Sequence, residues 1–136
     1  MMALTAVFTI CFFACGDDDK AINNMQKPII SSEGITANPI NHQRYYRGDV
    51  IPFHYMLSDD VELGVYNIEI RSNIKEAVNP WAFNRLYTIP QGLRSFEAKQ
   101  KIDIPTDIDT GDYIFIIRVT DVSGWEQELA LEITIE

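Results

Sequence analysis

The chain is 136 residues long, 46% hydrophobic and 23% charged, with 20 acidic against 11 basic residues and a formal net charge of −9. That length holds one domain with a core of its own, the composition argues against wholesale disorder, and an acidic surface without a basic stripe argues against nucleic-acid binding. Its two cysteines, Cys11 and Cys15, precede the folded part, which therefore has no disulfide, thiol nucleophile or cysteine metal site.

Residues 1–14 read as a lipoprotein signal peptide. Met1 to Phe13 carries no charge, and the apolar run Leu4 to Phe13 is shorter than the ~20 residues a membrane-spanning helix needs. A run of that length suits the core of a signal peptide. Small Ala14 stands directly before Cys15, so Cys15 is expected to be the lipid-modified first residue of the mature protein. Residues 15–27 form an acidic tether. Cys15-Gly16 followed by Asp17, Asp18 and Asp19 resembles the export signal of Bacteroidetes-type surface lipoproteins. The resemblance implies an outer-membrane lipoprotein displayed on the cell surface, held to the membrane through its lipid. The alternative is a solvated spacer on a protein that faces the periplasm.

Residues 28–136 alternate with period two, the signature of half-buried strands. The expected strands are Pro28–Ser32, Asp49–Ser58, Leu63–Ser72, an irregular Trp81–Ile89, Ser95–Ile104, Gly111–Asp121 and Glu126–Glu136, with Asn38–Gly48 as a long loop. Ile51, Phe53, Tyr55 and Leu57 fall on one face of the second strand, and Tyr113, Phe115, Ile117 and Val119 on one face of the sixth. Leu129, Leu131, Ile133 and Ile135 do the same on the last. Seven short strands separated by Gly, Asp, Asn and Pro predict an all-β, seven-stranded antiparallel Ig-like β-sandwich. Asp109-Thr110-Gly111-Asp112-Tyr113 has the form of a tyrosine corner, in which the Tyr113 hydroxyl turns back onto upstream backbone.

Ser58-Asp59-Asp60-Val61-Glu62-Leu63-Gly64-Val65-Tyr66, Gly111-Asp112-Tyr113 and Thr120-Asp121-Val122-Ser123-Gly124-Trp125 together resemble an uncharacterised family of Bacteroidetes lipoproteins with an Ig-like domain of unknown function. The resemblance runs over Pro28 to Glu136 and implies fold and location but no activity. Relatives in that family carry histidines after the third strand and after Gly-Asp-Tyr. This chain has Arg71 to Glu76 and Ile114 there, so no histidine metal site carries over.

No catalytic constellation stands out. His42 and His54 fall on different elements without ligand spacing, and phosphate-loop, GxSxG and HExxH motifs are absent. Asp59, Asp60, Glu62 and Asp121 are expected to meet at one end of the sandwich, where calcium would be the only cofactor to consider; Arg94 nearby offers a competing cation. Tyr45 and Tyr46, flanked by Arg44 and Arg47, and Trp81 are candidates for a shared aromatic patch that takes a sugar ring or a protein anchor. That use requires all three to be exposed; the competing expectation is that Trp81 and one tyrosine close the open end of the core. Ile114 and Ile116 point away from the core face and suggest a covered or partner-binding sheet face. The leading functional expectation is a non-enzymatic binding or assembly module of the cell envelope, for a glycan or an outer-membrane partner protein. The alternatives are a permanently docked structural subunit and a calcium-stabilised adhesion module.

Overall fold

A computed structural model describes residues 26–136. Eight strands follow in order: β1 (Ile29–Ser31), β2 (Gln43–Tyr45), β3 (Val50–Ser58), β4 (Leu63–Ser72), β5 (Phe83–Thr88), β6 (Ser95–Asp103), β7 (Gly111–Asp121) and β8 (Glu126–Ile135). They make two sheets, one of three strands in the order β1-β3-β6 and one of five in the order β2-β8-β7-β4-β5. The described residues contain no α-helix. Cys15, Asp17, Asp18 and Asp19 lie outside the described residues.

The facing surfaces of the two sheets supply the core. Ile51, Phe53, Tyr55 and Leu57 from β3 meet Tyr66, Ile68 and Ile70 from β4 and Tyr113, Phe115, Ile117 and Val119 from β7. The Phe53 ring stacks on Phe115 at 6.0 Å and on Tyr66 at 6.1 Å, so one side chain joins the sheets at the centre. Along most of these strands each inward residue alternates with a more exposed one, Ile116 on β7 being an exception, which is why period two was legible.

The strand count is eight, one more than expected. The addition, β2, sits inside the stretch read as the Asn38–Gly48 loop and runs parallel to β8, pairing Gln43 with Ile133 and Tyr45 with Ile135. Three residues cannot display a period, and their partner lies about ninety positions away along the chain. The irregular strand also begins later than expected, at Phe83, and pairs with β4 at the edge of the larger sheet.

A register shift between Leu63 and Val65 marks a bulge at Gly64. A Cβ there would stand 2.9 Å from the Thr120 carbonyl oxygen, so the close approach of β4 to β7 requires glycine.

On the outer face of the larger sheet Ile116 is covered, one of the two expectations for that face. Ile116 is 1% exposed. Glu69 and Ala130 stand opposite it on the neighbouring strands, and Arg118 beside it bonds Glu69 (3.0 Å) and Glu128 (3.2 Å). Ion-paired polar side chains therefore occupy that face.

Candidate functional site

Two regions hold most of the residues singled out from the sequence, the corner at the start of β7 and the loop cluster at the opposite end, and a third lies on the outer face of the smaller sheet.

At the corner, the Tyr113 hydroxyl donates to the Asp109 carbonyl at 2.6 Å and accepts the Trp81 N–H at 3.1 Å. The Asp109 carboxylate accepts the N–H groups of Val78 (2.6 Å) and Asn79 (2.9 Å), drawing the β4–β5 connection onto the turn before β7. Gly111 takes φ +139°, and a Cβ there would lie 2.9 Å from the Ile74 side chain, so both conformation and space call for glycine. Burial pushes the Tyr113 hydroxyl above its usual pKa, so it stays a donor across the neutral range.

The aromatic patch does not form. Trp81 is 6% exposed, set edge-on to Tyr113 and Phe83, and Tyr45 is 8% exposed with its hydroxyl accepting a bond from the Asn38 amide. Tyr46 alone of the three is exposed. Tyr45 faces inward on β2, and Trp81 precedes β5 where the β4–β5 connection closes the core. Both positions follow from contacts distant in sequence. Arg44 pairs with Glu136, and the Arg47 guanidinium donates to the Ile108 carbonyl, so neither flanking arginine is left beside an exposed ring pair.

At the opposite end the β3–β4, β5–β6 and β7–β8 loops are bonded together. Asp59 N–H donates to the Arg94 carbonyl (2.9 Å), Leu63 N–H to the Leu93 carbonyl (2.8 Å) and Val122 N–H to the Glu62 carbonyl (2.9 Å). Of the four acidic residues expected to gather here as metal ligands, only Asp59 and Asp121 are buried side by side. Glu62 is spent on the Gly92 N–H (2.7 Å), and Asp60 is exposed. Among the described residues no three His, Cys, Asp or Glu side chains converge on a metal position, which corrects the expected cluster of Asp59, Asp60, Glu62 and Asp121. Arg94 makes no ion pair with a described residue. Burial raises the Asp59 carboxyl above its usual pKa; the charge of Asp121, a side-chain hydrogen bond with it and the charge of Asp60 add to that rise, while the Val61 N–H opposes it.

Across the outer face of the smaller sheet runs a groove of about 640 Å³, walled by Thr36, Asn38, Pro52, His54, Lys99 and Lys101. β1 pairs only with residues 56–58 of β3, and the first half of that strand meets only the isolated bridge at Asn38 on this side. His54 exchanges two backbone bonds with Asn38 (3.0 and 2.8 Å), so residues 52 and 54 turn their backbone polar groups away from β6. Pro52, which has no N–H, therefore costs the ladder nothing. The Asn38 amide crosses the edge to the Pro52 carbonyl at 2.8 Å and fixes the groove's rim. His54 bonds Glu97 at 2.6 Å and Lys99 lies 3.9 Å from the same carboxylate, while Lys101 makes no ion pair with a described residue. Glu97 thus offsets part of the wall's positive charge, and Lys101 is the cation left without an acidic partner among the described residues. Nothing in the sequence marked the groove as a site. Its only traces were Pro52 in mid-strand and Lys99 and Lys101 at alternate positions, which otherwise describe an edge and a solvated face.

A family model described as a domain of unknown function (DUF4625) matches residues 13–136. No curated protein matches the chain.

Proposed function

The chain belongs to the DUF4625 family, and we propose that it is a non-enzymatic binding module of the cell envelope. In this reading it is a lipid-anchored, Ig-like sandwich of a surface lipoprotein that holds a glycan or an outer-membrane partner in the β3–β6 groove. The observation that carries it is the groove itself. Its volume of about 640 Å³ falls within the ~300–1,000 Å³ usual for ligand sites, and its rim is fixed by hydrogen bonds. Lys101, without an ion-pair partner among the described residues, and Lys99, which shares Glu97 with His54, favour acidic ligands such as a uronic-acid glycan or a carboxylate-bearing segment. The leader supplies the address: Ala14-Cys15 for the lipid and Asp17 to Asp19 for display.

Two measurements test this reading. Cys15→Ser is expected to move the protein from the detergent phase to the aqueous phase or leave it unprocessed, since in this reading the lipid links it to the membrane. Unchanged partitioning would end the anchor reading. The double variant Lys99→Glu, Lys101→Glu changes exposed side chains and is expected to keep stability within about 0.5 kcal/mol of the parent for each site. Binding to immobilised acidic glycans and to solubilised envelope proteins should fall at least tenfold. Equal binding by parent and variant across that panel would remove the groove as the site.

A further inference from the structure

We propose that Asp59 and Asp121 form a binding site for one calcium ion, shared between the β3–β4 and β7–β8 loops. This site lies apart from the groove and does not depend on it. Asp59 is 9% exposed and Asp121 4%, the two buried polar residues of the domain. Their satisfied oxygens are accounted for: Asp59 Oδ2 accepts the Val61 N–H at 3.2 Å, and Asp121 Oδ1 accepts those of Ser123 and Trp125 at 2.9 Å each. Asp59 Oδ1 and Asp121 Oδ2 are buried and have no hydrogen-bond partner. Neither carboxylate is paired with a basic side chain among the described residues. Two neighbouring carboxylates within hydrogen-bonding reach of each other, each with one buried oxygen that no other group answers, are a costly arrangement unless a cation or a shared proton lies between them.

The chemistry of the donors selects the ion. All are oxygens, which favours hard cations over zinc or copper. Calcium accepts irregular geometry and can complete its shell with backbone carbonyls and water, whereas magnesium demands a near-ideal octahedron and dehydrates reluctantly. The loops are held in advance by the Asp59–Arg94, Leu63–Leu93 and Val122–Glu62 backbone bonds, so binding has little left to order. With two carboxylates as its side-chain ligands, the site belongs with weak extracellular modules, of dissociation constant on the order of 10⁻⁴–10⁻³ M.

The test uses the full chain, stripped with chelator and titrated with calcium chloride and, separately, magnesium chloride. Calcium at ten times its dissociation constant should raise the melting temperature by about 6 °C, with magnesium giving a much smaller shift. Asp121→Asn keeps an oxygen for Ser123 and Trp125 but removes the charge, and Asp59→Asn does the same for Val61. Each should fold in chelator and lose the calcium shift. A parent whose melting temperature does not respond to 10 mM calcium overturns the proposal. An Asp121→Asn variant that is then more stable than the parent in chelator would assign the pair to a shared proton instead. Calcium shifts of equal size in the parent and both variants would place any ion elsewhere and equally overturn it. Because Lys99 and Lys101 lie on the outer face of the smaller sheet and belong to neither of these loops, these outcomes are independent of the glycan and envelope-protein panel.

Discussion

Trp81→Ala is expected to destabilise the domain by about 3–5 kcal/mol, the cost of removing a large buried aromatic side chain. The indole is 6% exposed and lies edge-on to Tyr113 at 6.3 Å and to Phe83 at 6.0 Å. It precedes β5, the outermost strand of its sheet, so the space it leaves opens at the end of the core, where few neighbours can move in. Reversible denaturation in urea measures the loss as a lower midpoint at unchanged slope. A loss below about 1 kcal/mol would place the indole on the surface and restore it as a ligand contact. Tyr46→Ala is the matched control: its ring is 57% exposed, and the midpoint should stay where it is.

Tyr113→Phe is expected to cost about 1–3 kcal/mol, the usual consequence of leaving a buried polar group without its partner. The ring stays, so no cavity forms, and the loss isolates the hydroxyl. That hydroxyl serves two backbone groups, the Asp109 carbonyl at 2.6 Å and the Trp81 N–H at 3.1 Å, and both lose it together. A change of only a few tenths of a kcal/mol would make Tyr113 an ordinary core ring. The pH dependence gives a second readout. Burial holds the folded-state hydroxyl above its ordinary pKa of 10.0, whereas the unfolded chain ionises near that value. The folded state then binds more protons above pH 10, and the parent loses stability there as the pH rises. The Phe variant lacks this group, so the gap between parent and variant should narrow as the pH climbs past about 10. Trp81 and Tyr113 touch, so their double variant should depart from additivity, whereas pairing either with Lys101→Glu should not.

The strands that pack one face on the core were legible because burial on one side of a pleat writes itself into the sequence as alternation. The bounds Leu63–Ser72 and Gly111–Asp121 are those read from the pattern. The tyrosine corner was legible for a different reason: donor and acceptor are four residues apart, so the motif is local. The meeting of the three loops at one end followed from strand order alone.

Other features depended on partners far along the chain. β2 is three residues long and exists through its pairing with β8. Ile116 points away from the core yet is buried, because side chains from β4 and β8 and its own neighbour Arg118 close around it. Tyr45 and Trp81 look like exposed loop aromatics beside arginine and proline, and only the closure of the core's end puts them inside. Glu62 and Asp60 are acidic turn residues by sequence, indistinguishable from Asp59 and Asp121. The fold separates them, giving Glu62 a backbone partner, leaving Asp60 in water and burying the other two. By itself, then, the sequence determined which residues face the core and where the chain turns, because those depend on period and local bonding. Tertiary structure decided which polar groups lose water and which aromatics find cover, because desolvation at a loop or an edge depends on whichever distant segment packs against it.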